Sequence, residues 1–154
     1  MIYVVLDLSA AFDTIDHSLL LSILQRKLGI QGDALNWLKS YLNNRHQCFK
    51  VKDAYSSERT LVRGVPQGSI LGPILFSCYL TPLSELLSSL EVSFHIYADD
   101  TSVYFAVNDS VTPQSFSIFF GTIRKFFDSM KLKLNAEKTE FVHMRNRRQR
   151  STLR

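Results

Sequence analysis

Ser93-Phe94-His95-Ile96-Tyr97-Ala98-Asp99-Asp100-Thr101-Ser102-Val103-Tyr104-Phe105-Ala106-Val107 decides how the rest of the chain is read. On each side of Ala98-Asp99, aromatic and β-branched residues tend to alternate with others, the pattern of two strands of a hairpin. One aspartate suits the backbone angles of a tight turn. Two adjacent aspartates between hydrophobic strands concentrate like charge, which a fold normally avoids unless something offsets it. A divalent cation is the simplest offset, so Asp99-Asp100 predicts a metal site.

Working outward, Ile2-Tyr3-Val4-Val5-Leu6 is expected to be a buried strand with Asp7 at its end. Asp16 reads as the N-cap of a helix carrying Leu19, Leu20, Ile23, Leu24 and Leu28 on one face, stopped by Gly29 with Ile30 as the apolar contact beyond it. A second helix starts at Gly32-Asp33 with Leu35, Trp37, Leu38, Tyr41 and Leu42 mostly inward. His46–Lys52 and Arg59–Arg63 are expected to be two shorter strands joined by a polar turn. Pro73 suits the first turn of a helix running to about Leu90, adjusted at Pro82. A further helix runs from Pro113 to about Met130, burying Phe116, Phe119, Phe120, Ile123, Phe126 and Phe127, and a last strand lies near Glu140–Met144. The order is α+β or split βαβ: helices packed on one face of a mainly antiparallel sheet.

Composition narrows the function classes. The chain has 154 residues, 45% of them hydrophobic, enough for one domain with a core. Cys48 and Cys78 stand outside any metal-ligand spacing and are expected to be buried free thiols in a reducing, intracellular compartment. His17, His46, His95 and His143 form no ligand pattern. No basic segment precedes the apolar start and Asp7 interrupts it, so no secretory leader is expected. The apolar region Ile70–Leu90 is broken by Pro73, Pro82 and Glu85, which argues against membrane insertion. The net charge of +4 is uneven: residues 145–154 hold five of 18 basic residues and no acid, leaving 13 basic against 14 acidic residues in the body. Only this tail is expected to act as a phosphate-seeking arm, or else to be a solvated, disordered terminus.

In a split βαβ sheet the first strand lies beside the later hairpin, which would bring Asp7, Asp99 and Asp100 to one edge. Three carboxylates there suit a hard, oxygen-preferring ion such as Mg²⁺. Two such ions, roughly 4 Å apart, activate an attacking hydroxyl and stabilise a leaving phosphate oxygen. The other dense segment is Arg63-Gly64-Val65-Pro66-Gln67-Gly68-Ser69-Ile70-Leu71-Gly72-Pro73. Pro66 and Pro73 forbid one continuous helix. The segment reads as a loop entering a helix, with Gly64 and Gly68 letting a substrate approach the backbone and Gln67 able both to donate and to accept hydrogen bonds.

Val5-Leu6-Asp7-Leu8-Ser9-Ala10-Ala11-Phe12-Asp13, the Gly64–Pro73 loop, Tyr97-Ala98-Asp99-Asp100 and Leu134-Asn135-Ala136-Glu137-Lys138-Thr139 occur in that order. Together they resemble successive motifs of reverse transcriptases, specifically those of non-LTR (LINE-type) retrotransposons, over roughly residues 1–144. The resemblance implies a polymerase palm, with Asp7 and Asp99 as principal metal ligands and Asp100 adding charge and orientation. It implies that Phe12 screens the sugar 2′ position, that Gln67 and Gly68 lie near incoming nucleotide and template, and that Lys138 stands near the triphosphate, where a cation assists the leaving pyrophosphate. Asp13 and Asp16 are assigned to turn and capping chemistry, and Leu134 and Asn135 to shaping the approach to Lys138.

The activity so implied is RNA-directed DNA polymerisation by two Mg²⁺ ions, with Mn²⁺ as a substitute. RNA template, DNA primer and deoxynucleoside triphosphates would be its partners. The family also implies fingers before Asp7 and a thumb after Lys138, which these 154 residues are expected to lack. The alternative is a catalytically silent, element-derived palm that binds nucleic acid or protein at most. A near-neutral body leaves few phosphate contacts to hold a primer–template.

Overall fold

The computed structural model describes residues 1–106 and 112–144. Its centre is a four-stranded antiparallel sheet made by β1 (Ile2–Leu6), β7 (Ser93–Tyr97), β8 (Asp100–Phe105) and β10 (Glu140–His143), in the order β10-β1-β8-β7. The expected neighbourhood of the first strand and the hairpin is therefore present: Ile2 pairs with Phe105, Val4 with Val103 and Leu6 with Thr101. Strand alternation puts Val4, Leu6, Thr101 and Val103 on one face, and all four are fully buried. On the other face Tyr3 hydrogen-bonds Ser102 through its hydroxyl at 2.9 Å and its ring lies 5.0 Å from that of Tyr104.

Helices cover the buried face. In α6 (Pro113–Ser129), Phe119, Ile123 and Phe127 are buried, as the helical spacing of apolar residues requires. The Phe119 ring meets Phe105 edge-on at 5.0 Å, while Phe120 approaches Phe141 of β10 at 5.4 Å. Phe116, Phe120 and Phe126 are half-buried at the margins of this stripe.

The helix after Asp16 is α2 (His17–Arg26), and the Asp16 side chain accepts from the Leu19 amide at 3.0 Å, the expected cap. Gly29, at φ +70°, follows its end, and the Ile30 amide returns to the Leu24 carbonyl. In α3 (Gly32–Leu42), Leu35, Leu38 and Leu42 face inward, but Trp37 is 57% exposed and stacks on half-buried Tyr41. The apolar pattern of the sequence places Trp37 inward, and the structure does not. Trp37 is two residues from Leu35, about 200° around a helix, and so falls off the inward stripe.

Four other expectations are corrected. Neither cysteine is a buried thiol: Cys48 is exposed between two short strands and Cys78 is half-buried. The helix expected from Pro73 to Leu90 is two helices, α4 (Leu71–Tyr79) and α5 (Thr81–Ser89), which meet at Leu80. Pro82 has no N–H to continue the ladder and is well placed only in the first turn of a new helix. The two strands expected across residues 46–63 are shorter and more numerous. They form an arm of two two-residue ladders: β3 (His46–Gln47) with β6 (Arg59–Thr60), and β4 (Lys50–Val51) with β5 (Ala54–Tyr55). The segment after β1 adds two elements absent from the expected order. These are β2 (Leu8–Ser9), paired with β9 (Lys133–Leu134), and α1 (Ala11–Thr14). The assignment of residues 145–154 as a tail, and the end of the hairpin at Val107, lie outside the described residues. No described helix is long and apolar enough to cross a membrane.

Candidate active site

The site lies at the end of the sheet where β1 finishes and β8 begins. Asp7 is the residue at which the chain changes partners. Up to Leu6 it pairs with β8 and β10; from Leu8 it pairs with β9. Its carbonyl accepts the Asn135 amide at 2.8 Å, which ties the end of β1 to the segment before β10. Asn135 is the hub of that segment: its carbonyl accepts from the Thr139 amide and hydroxyl, and its side-chain Oδ1 from the Glu137 amide. Exposed Lys138 rides on the turn so formed, two residues from Glu140, which pairs with Val5. The structure thus brings Lys138, on the Asn135 turn, to the end of the sheet that carries Asp7.

Tyr97 and Asp100 form the last pair of the hairpin, leaving Ala98-Asp99 as a two-residue loop. Ala98 has φ +51°, the left-handed region, where a Cβ costs about 1–2 kcal/mol. The turn residue that carries this cost is therefore Ala98 and not an aspartate. Such cost persists only where the surroundings over-determine the conformation, and it concentrates at functional sites.

Asp99 lines a cleft of about 380 Å³ together with Leu8, Ala10, Phe12, Gln67 and Gly68. Three residues assigned to substrate and one to metal, separated by up to 87 positions, therefore share one concavity. Backbone bonds hold its two walls together: the Gly64 amide donates to the Ile15 carbonyl and the Val65 amide to the Phe12 carbonyl, at 2.8 and 2.9 Å. His17 Nε2 meets the Gly64 carbonyl at 2.7 Å. Beneath the cleft the Phe12 ring stacks on fully buried Phe76 at 4.8 Å.

The two glycines expected to admit substrate do different work. At Gly64, φ is +82° and an added Cβ would lie 2.9 Å from the Asp13 carbonyl oxygen, so its closeness serves the chain's own backbone. Gly68, at φ +76°, has nothing within 4 Å of that position and opens onto the cleft. Gln67, which lines the cleft, donates from Nε2 to Asp13 Oδ1 at 3.1 Å. This contact spans 54 positions, and nothing in the local sequence signals it.

Asp16 belongs to the scaffold. It is 8% exposed, caps α2 and is ion-paired with Lys131. Burial pushes its carboxyl upward, but the hydrogen bonds from Lys131 and the Leu19 amide and the charge of Lys131 outweigh it and hold it below the usual aspartate value. Buried Tyr79 donates its hydroxyl to the Met130 carbonyl and accepts from the Asp16 amide at 3.4 Å. Burial pushes the Tyr79 hydroxyl upward, so it stays protonated.

Asp7, Asp99 and Asp100 gather at one sheet end, and among the described residues none of them has an ion-pair partner. Their oxygen donors fit a hard divalent cation in kind. They do not form the expected cage: among the described residues no three carboxylate, imidazole or thiol groups stand close enough together to hold an ion. Asp7 leaves the ladder after Leu6 and Asp99 occupies the loop, so neither is held by the sheet's own register.

Comparison with known proteins gives consistent results. The family model described as reverse transcriptase (RNA-dependent DNA polymerase) matches residues 1–153. The chain is 29% identical over 142 residues to a probable RNA-directed DNA polymerase from transposon BS, and 31% identical over 149 residues to the RNA-directed DNA polymerase from mobile element jockey, both of Drosophila melanogaster. These matches cover 88% and 92% of this chain and 16% of each relative, so the chain spans about one-sixth of their length. Among solved structures, apo telomerase from Candida tropicalis superposes with a TM-score of 0.66 at 16% identity, covering 92% of this chain and 28% of that one.

Proposed function

The chain belongs to the reverse transcriptase family, of the kind carried by non-LTR retrotransposons, and from that premise we propose that it is the palm of an RNA-directed DNA polymerase. The observation that carries this reading is the shared cleft of Phe12, Gln67, Gly68 and Asp99. A nucleotide seated there would have its sugar against the Phe12 ring and its polar groups against the Gln67 amide. The antiparallel sheet with helices on its buried face is, in this reading, the split βαβ core of a palm spanning residues 1–144.

Asp7 and Asp99, with Asp100 adding charge, are the residues that would hold Mg²⁺, or Mn²⁺ in its place. When bound, the cations would lower the cost of ionising the primer hydroxyl and of releasing pyrophosphate. The protein's own residues do the rest. The cleft orients the nucleotide, Phe12 crowds a 2′ substituent, and Lys138 offers a positive charge to the departing phosphates. RNA template, DNA primer and deoxynucleoside triphosphates are the proposed partners, and the site of action is inside the cell.

The test is primer extension on an RNA template with Mg²⁺ or Mn²⁺, wild type beside Asp99→Ala. Extension by the wild type that falls at least 100-fold in the variant supports the proposal, on the scale expected when a group stabilising transition-state charge is removed. Wild type and variant equally inert, with template still bound, would contradict it for this chain.

A further inference from the structure

We propose that Asp13 is a positioning residue that sets which end of the Gln67 amide faces the cleft. The proposal rests on the polymerase reading for its kinetic consequence, but its geometric basis stands apart from it.

Gln67 carries a carbonyl acceptor and an NH₂ donor on a freely rotating arm, so an exposed glutamine offers either end to a ligand. A carboxylate offers only lone pairs, so Asp13 can bond only the NH₂ end. The 3.1 Å contact from Nε2 to Asp13 Oδ1 therefore selects one of the two orientations and leaves Oε1 and one N–H for the ligand. A cleft presenting Oε1 favours a substrate group that donates, such as a sugar hydroxyl or a base amino group.

Asp13 is well placed for this work because its backbone is clamped. The Ile15 and Phe12 carbonyls accept from the Gly64 and Val65 amides, and the Asp13 amide closes a turn on the Ala10 carbonyl at 3.0 Å. Gly64 presses so closely on the Asp13 main chain that a Cβ could not be accommodated there. Both side chains are exposed, and among the described residues neither has a salt bridge. The pair thus joins the two backbone-clamped segments that supply Phe12 and Gln67 to the lining of the cleft. Phe12 and Asp13 are adjacent, so one short segment supplies the ring against the sugar and the carboxylate that aims the amide.

The experiment has two readouts on wild type, Asp13→Ala, Asp13→Asn, Gln67→Ala and the double alanine variant. The first is the side-chain NH₂ resonance of Gln67 in a ¹⁵N-labelled protein, which needs no catalysis. The expected result is a Gln67 signal that moves towards free glutamine in Asp13→Ala and partly returns in Asp13→Asn, while backbone signals of β1 and α2 stay in place. A Gln67 signal unmoved by Asp13→Ala overturns the proposal and leaves the polymerase reading intact. The second readout is nucleotide KM and kcat in primer extension. Each single alanine variant is expected to raise KM about 5-fold, the scale of one hydrogen bond, with kcat little changed. The double variant should be no worse than Gln67→Ala alone, because both remove one interaction. Losses in KM that multiply would overturn the positioning role even if the resonance moves.

Discussion

The cleft end of the sheet and the arm of residues 46–60 are both built largely from short segments, yet they differ in what holds them. Around the cleft, Phe12 rests on fully buried Phe76, and backbone bonds join residues about 50 positions apart. In the arm every residue from His46 to Thr60 is exposed, each strand is two residues long, and its pairs are mostly local. Aromatic residues are present in both: Phe49 and Tyr55 in the arm are 66% and 64% exposed. The difference is burial. Of the residues proposed to do chemistry, Phe12 rests directly on the core, and Asp7 directly follows fully buried Leu6 of β1.

That contrast can be attacked directly. Phe76→Ala should be the most damaging change, costing about 3–5 kcal/mol in chemical denaturation, because it empties a fully buried ring site beneath Phe12. Gly64→Ala should cost about 2 kcal/mol, since it places a side chain at φ +82° and against the Asp13 backbone. If its cost were only a few tenths, the clamp between the two walls would be weaker than described.

Asp16 gives a pH-dependent version of the same test. Its carboxyl is held below its ordinary value of 3.8, so its charge contributes stability that is fully present above that value and lost as pH falls through the lower, folded value. Asp16→Asn should therefore destabilise by about 1 kcal/mol at neutral pH, with the gap to wild type closing in acid. A gap that widened below pH 3.8 would contradict the sign. The smallest effect belongs to the arm: Phe49→Ala should change stability by less than about 0.5 kcal/mol. A larger loss would mean that the arm is not separate from the core.

Much of the sheet is legible in the sequence, from alternation in the hairpin and from a short apolar run in β1. Alternation around Val103 announces the β7–β8 hairpin and Tyr97-Ala98-Asp99-Asp100 its turn, whereas β1 reads as one apolar run and only Val4 and Leu6 of it are buried. Helix ends at Asp16 and Gly29 were legible for the same local reason. Trp37 was misplaced because apolar character alone does not decide which side of a helix is covered. The break at Leu80 is ambiguous in the sequence because Pro82 suits both a bend and the start of a helix. For the site, the family resemblance supplied roles that spacing could not, and the cleft then placed Phe12, Gln67, Gly68 and Asp99 together. The Asp13–Gln67 bond was illegible, since contacts of that range follow from tertiary packing alone. The left-handed Ala98 was equally hidden, because alanine carries no signal for positive φ.

The proposed function puts the cation site of a nucleotidyl-transfer centre at the carboxylates of one sheet end and not in the arm. Mn²⁺ titrated into ¹⁵N-labelled protein tests it most directly, because the ion broadens signals of nearby amides. Selective broadening is expected at Asp7, Asp99, Asp100 and Asn135, abolished by Asp99→Ala, with residues 46–60 unaffected. Broadening centred elsewhere, or unchanged in Asp99→Ala, would contradict it.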